Sequence, residues 1–187
     1  MGKSSCVLLL MLAMMSCSSV AGAADTKTCD TYVKEATAKA HGVRQFNCGF
    51  DVNDPRWSTG RSGHAAWCKT VDKEAVERES ARRRGEIKLC QTCRAYATLA
   101  VSAVSDSASR KCGFPGARWT DKAENHFGWC MEQRDRVAAN EKDISAAYKA
   151  ALEKLRTPIN LETTARTLQV TDCKARASTA STRPGKR

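Results

Sequence analysis

Apolar residues recur along this chain at helical spacing. Tyr96, Leu99, Ala100, Ala103 and Val104 follow the i, i+3, i+4, i+7, i+8 order of one helix face, and Tyr32, Ala36 and Ala40 echo it. Trp67, Val71 and Ala75 read as one face of a further helix. The strongest amphipathic stretch is Val137, Ile144, Tyr148, Ala151, Leu152 and Leu155. It is predicted to stop before Pro158, because a proline steers the preceding residue away from the helical region. Asn160 then reads as the cap of another helix through Leu161, Ala165 and Leu168. The segments from Cys48 to Trp57 and from Cys112 to Trp119 hold Gly, Pro, Asn and Asp, and read as loops. No sustained alternation of apolar and polar residues occurs. The predicted class is all-α.

The N-terminus reads differently. Lys3 precedes an apolar run from Cys6 to Met15, and Ala21-Gly22-Ala23 supplies small residues for cleavage. This is the pattern of a secretory signal peptide over residues 1–23, its apolar run too short to span a bilayer. A second reading takes Met14-Met15-Ser16-Cys17 as a lipobox, with Cys17 acylated; both readings export the protein, to the periplasm or beyond.

Of ten cysteines, eight follow that segment: Cys29, Cys48, Cys68, Cys90, Cys93, Cys112, Cys130 and Cys173. An even set in an exported chain predicts four disulfides. The set is built by repetition. Cys29, Tyr32, Ala36, Cys48-Gly49-Phe50, Arg56-Trp57, His64 and Trp67-Cys68 recur as Cys93, Tyr96, Ala100, Cys112-Gly113-Phe114, Arg118-Trp119, His126 and Trp129-Cys130. Eleven positions are identical, among them three Cys, two Trp and a His, which makes chance a poor explanation. A fourth cysteine closes each copy, and the second copy carries 21 extra residues before its own. The expected organisation is a module over 24–90, a second over 91–173 joined at Gln91-Thr92, and a basic disordered tail over 174–187.

If each module is an antiparallel helical hairpin, its first and fourth cysteines meet at one end and its middle two at the other. That predicts Cys29–Cys90, Cys48–Cys68, Cys93–Cys173 and Cys112–Cys130, although four cysteines allow three connectivities per module. Modules of this size bury little core, so such staples are expected.

The pattern Cys-x-x-Tyr-Ala, Cys-Gly-Phe-x-Gly-x-Arg-Trp, His-x-x-Trp-Cys is similar to a cysteine-rich module of exported proteobacterial proteins. The second copy, with Cys112-Gly-Phe-Pro-Gly116-Ala-Arg118-Trp119, matches it closely. The first departs at Asp51-Val-Asn-Asp-Pro55 and at Val33 after its Tyr. The resemblance implies an envelope or secreted setting and brings no activity with it.

Three groups bear on chemistry. Cys90-Gln-Thr-Cys93 has the spacing of a redox motif, yet the repeat explains it as the end of one module and the start of the next. Arg94 stands where haem attachment needs a His. His64 with Cys68, and His126 with Cys130, are spaced to bind zinc, but disulfide formation competes for the thiols, so no metal and no cofactor is expected. Arg56, Trp57, His64 and Trp67, with Arg118, Trp119, His126 and Trp129, form the candidate binding sets: indole faces with Arg and His donors suit a sugar ring or flat anion. The competing reading, weighed more heavily, makes these residues the filling of a small core.

Net charge is +11, and the tail supplies Lys174, Arg176, Arg183, Lys186 and Arg187. Arg82-Arg83-Arg84 reads as a solvated helix face, with Glu79 four residues before Arg83. Neither module is basic enough for a nucleic-acid groove. No catalytic triad, zinc-protease helix, phosphate loop or dinucleotide fingerprint is present. The expected function is a non-enzymatic exported or envelope-associated binding protein, contacting anionic polysaccharide or a membrane surface. A secreted basic effector or toxin, and an enzyme using the His, Trp and Arg sets, are the alternatives.

Overall fold

The computed structural model describes residues 22–51, 53–132 and 143–181. Five helices follow in order: α1 (Thr26–Gln45), α2 (Arg61–Cys68), α3 (Lys73–Ser109), α4 (Ala123–Met131) and α5 (Ile144–Ser181). Short 3-10 turns stand at Pro55–Trp57 and Ala117–Trp119. The described residues contain no strand, so the fold is all-α as expected. None of the described helices is long and apolar enough to cross a membrane. The predicted signal peptide lies almost wholly outside the described residues, as does Val137.

Local chemistry sets the helix ends. Asp25 caps α1, its carboxylate accepting from the Thr28 N–H at 2.8 Å, and Asp72 caps α3 by accepting from Ala75 N–H at 2.6 Å. The cap at Asp72 is why Trp67, Val71 and Ala75 do not share a helix: α2 ends at Cys68 and α3 starts afresh at Lys73. Helix α1 stops where Asn47 takes a positive φ of 49° and the Cys48 N–H reaches back to Val43 O at 3.0 Å. Helix α3 stops in the same way, with Lys111 at φ 56° and Cys112 N–H on Ser107 O at 3.0 Å.

The disulfides are Cys29–Cys68, Cys48–Cys90, Cys93–Cys130 and Cys112–Cys173. All eight expected cysteines are used, each bond stays within one copy, and none of the four predicted pairs forms. The hairpin premise fails because the return stroke is made by the loop after α1 together with α2, which carries Cys68 back to Cys29. Ala24 N–H bonds Val71 O at 2.8 Å there, so α3 sets out from the start of α1 and runs parallel to it. Cys90 therefore arrives beside Cys48 at the far end. Each closure removes about 4 kcal/mol of loop entropy from the unfolded chain, before native strain. Four closed disulfides are the bonding state of an oxidising compartment.

Helix α3 spans 37 residues and passes through Gln91-Thr92 unbroken, so the joint between the copies is helix interior. Helix α5 lies along α3 in the same direction, with Tyr148 on Glu86 near one end and Cys173 on Cys112 near the other. Pro158 sits inside α5 and Asn160 caps nothing. Pro158 withholds one N–H, but Leu155 before it and Ile159 after it pack into one core, which holds the helix through. Helix α5 also continues to Ser181, so residues 174–181 are helical where a disordered tail was expected; 182–187 lie outside the described residues. The main core joins Phe50, Trp57, Leu89, Tyr96, Phe127 and Leu155 around the central disulfides, and a smaller one gathers Tyr32, Val33 and Val76 around Cys29–Cys68.

Candidate functional site

In the first copy, four elements converge. Helix α1 supplies Tyr32, the 3-10 turn Arg56 and Trp57, α2 His64 and Trp67, and α3 Glu79, Arg83 and Glu86. Trp57 stacks on Phe50 with centroids 4.8 Å apart and is 2% exposed. His64 is buried edge-on to Tyr32, and its Nε2–H donates to Ser58 O at 2.8 Å, which fixes the tautomer and pins the loop. Trp67 lies half-buried against Tyr32 at 5.0 Å.

Beneath these rings sits Arg83, 2% exposed. Its guanidinium carbon lies 5.7 Å from the Tyr32 ring and 5.4 Å from Trp57. Its Nε is 3.0 Å from Glu79, which also takes Arg56 Nε at 2.9 Å, while Arg56 Nη1 stands 3.7 Å from Glu86. Burial pulls the Arg56 pKa down, but the carboxylates of Glu79 and Glu86 outweigh it and leave it raised. Burial raises the Tyr32 phenol pKa against the opposing pull of Arg83, which donates to its oxygen at 3.3 Å. Tyr32, Arg56, His64, Trp67, Glu79 and Arg83 all line a cleft of about 620 Å³.

The second copy rebuilds the arrangement. Tyr96 meets His126 edge-on at 6.1 Å and Trp129 at 5.3 Å, and Phe114 packs on Trp119 at 4.5 Å. His126 Nε2–H donates to Thr120 O at 3.0 Å. Arg166 lies 5.2 Å from the Trp119 ring and 2.8 Å from Glu162, which takes Arg118 at 2.6 Å. Burial raises the Tyr96 phenol as it does Tyr32.

The copies differ in cover and charge. Trp119 is half-buried where Trp57 is sealed, and Trp129 is 41% exposed. Glu86, which holds Arg56 and accepts from the Tyr148 hydroxyl at 3.0 Å, is matched in the second copy by Gln169. Two guanidiniums thus face two carboxylates in the first copy and one in the second. In both copies the buried arginine keeps an Nη1 with no hydrogen-bond acceptor among the described residues.

The eight predicted site residues therefore assemble, four in each copy, but with divided roles. Trp57, His64 and His126 are core; Arg56, Trp67, Arg118 and Trp129 reach the surface. Arg83 corrects the solvated-face reading of 82–84, since it is sealed between aromatic rings while Arg84 is exposed. The residues missed were Glu79 with Arg83 and Glu162 with Arg166. Their signal is Glu-x-x-x-Arg-x6-Cys, ending on Cys90 and Cys173, which repeats at an offset of 83 instead of 62 because the 21 extra residues intervene. Cys90 and Cys93 are each bonded elsewhere, and no group of three or more metal-ligating side chains occurs among the described residues.

No family model, curated protein or solved structure matches the chain.

Proposed function

We propose that the protein is an exported, envelope-associated binding protein that holds a glycan in its duplicated arginine–aromatic sites. The observation that carries this is the first-copy cleft, lined by Tyr32, Arg56, Trp67 and Arg83, in which Trp67 and Arg56 are the half-buried, accessible groups and Arg83 lies sealed behind them. Aromatic faces pack against the apolar face of a sugar ring, and the half-buried Arg56 guanidinium can donate to its hydroxyls. Its volume is that of a small-ligand pocket. The first copy is charge-balanced and suits an uncharged ring. The second, with Gln169 in place of Glu86, carries surplus positive charge that favours an acidic unit of the same polymer. Two sites joined by α3, which carries Glu79 and Arg83 of the first and Tyr96 of the second, would bind a chain with avidity.

Affinity electrophoresis of the purified protein through gels of neutral and uronic-acid polysaccharides tests this reading. Retardation greatest in the acidic polymer, and reduced by Gln169→Glu, is the expected result. Equal mobility in every gel contradicts it.

A further inference from the structure

A separate groove of about 650 Å³ runs between α3 and the first half of α5. Its floor is apolar: Gly85 on α3, and Tyr148, Leu152 and Ile159 on α5. Its rim is cationic, with the exposed side chains of Arg84, Lys88, Lys149 and Arg156. Glu153 is the one carboxylate lining it among the described residues, 4.0 Å from Arg156, and Arg84 has Glu35 at 3.6 Å. Lys88 and Lys149 have no ion pair among the described residues.

The groove owes its far wall to the insertion. The repeat offset is 62 at Cys130 and 83 at Glu162, so the 21 extra residues fall between them, and Tyr148 and Leu152 stand in that interval. The duplicated site therefore does not require this groove.

We propose that the groove binds a single-chain, phosphate-headed lipid, one acyl chain along the apolar floor and the phosphate between Lys88 and Lys149. An apolar trough with a few convergent cations is the arrangement such a ligand needs. The chain supplies burial and the ammonium groups supply charge-assisted hydrogen bonds to phosphate oxygens. An acidic glycan has no chain for the floor, and a neutral detergent has no charge for the rim.

Isothermal titration of the full-length protein with monomeric dodecyl phosphate tests the site, with inorganic phosphate and dodecyl glucoside as the other arms. Dodecyl phosphate is expected to bind at one site, and each control roughly tenfold or more weaker. Lys88→Glu with Lys149→Glu should weaken the alkyl phosphate by a similar factor, and Leu152→Trp, which fills the trough, should block it. The two lysines are exposed, so their reversal reads out even if Leu152→Trp misfolds. Trp67→Ala should leave this binding unchanged, which separates the groove from the proposed glycan sites. Inorganic phosphate binding as tightly as dodecyl phosphate, the glucoside matching it, or charge reversal without effect would each overturn the proposal.

Discussion

Tyr148 lies directly over Gly85, so that a methyl group on Gly85 would collide with the ring's Cγ. The hydroxyl of Tyr148 then reaches Glu86 at 3.0 Å, and the two long helices are joined at this point by one missing side chain and one hydrogen bond.

Gly85→Ala should therefore force α5 away from α3 and cost about 1–3 kcal/mol, the usual range for overpacking. The added helix propensity of alanine, about 1 kcal/mol, works in the opposite direction and is outweighed by the contact. Thermal unfolding under non-reducing conditions checks the sign; a stabilised variant would mean the helices are not packed this closely.

The two buried arginines should differ in cost. Arg83→Met leaves Arg56 alone against Glu79 and Glu86, whereas Arg166→Met leaves Arg118 against Glu162 only. Removing one partner of a buried ionic network costs about 3 kcal/mol. The first-copy substitution should approach that figure and the second should fall below it, read as shifts in urea midpoint.

Tyr32 and Tyr96 hold their protons beyond the ordinary range because burial disfavours the phenolate. A group whose folded pKa is raised contributes stability that is full below its unfolded pKa, about 10, and lost as pH rises through the folded one. Phenolate absorbance should show a late titration above pH 10 that shrinks in Tyr32→Phe and in Tyr96→Phe, with stability falling in the same window.

Non-reducing peptide mapping should join Cys29 to Cys68, Cys48 to Cys90, Cys93 to Cys130 and Cys112 to Cys173. A Cys29–Cys90 peptide would restore the hairpin arrangement and contradict the parallel course of α1 and α3.

Helical class, the eight bonded cysteines and the repeat were legible in the sequence because each is a local pattern. Spacing marks a helix, and three cysteines, two tryptophans and a histidine at fixed offsets mark a copy. The direction of α3 was not legible, because it depends on which segment makes the return stroke, and Val71 bonding Ala24 is a long-range fact. The helix through Pro158 was missed for a related reason: packing of Leu155 and Ile159 overrides a local break. Arg83 was hidden by its neighbours. Within an Arg-Arg-Arg run nothing distinguishes the buried one until its face of the helix is known, and the repeat that would have matched it to Arg166 changes offset across the insertion.

Sugar binding at the arginine–aromatic sites depends most directly on Trp67, half-buried in the first copy, and Trp129, exposed in the second. Titration of a uronic-acid oligosaccharide into the wild type, Trp67→Ala, Trp129→Ala and the double variant measures this, with disulfide maps confirming that all four fold alike. The prediction is saturable binding by the wild type, weakened roughly tenfold by each substitution and lost in the double variant. Unchanged affinity in the double variant, with its disulfides intact, would contradict it.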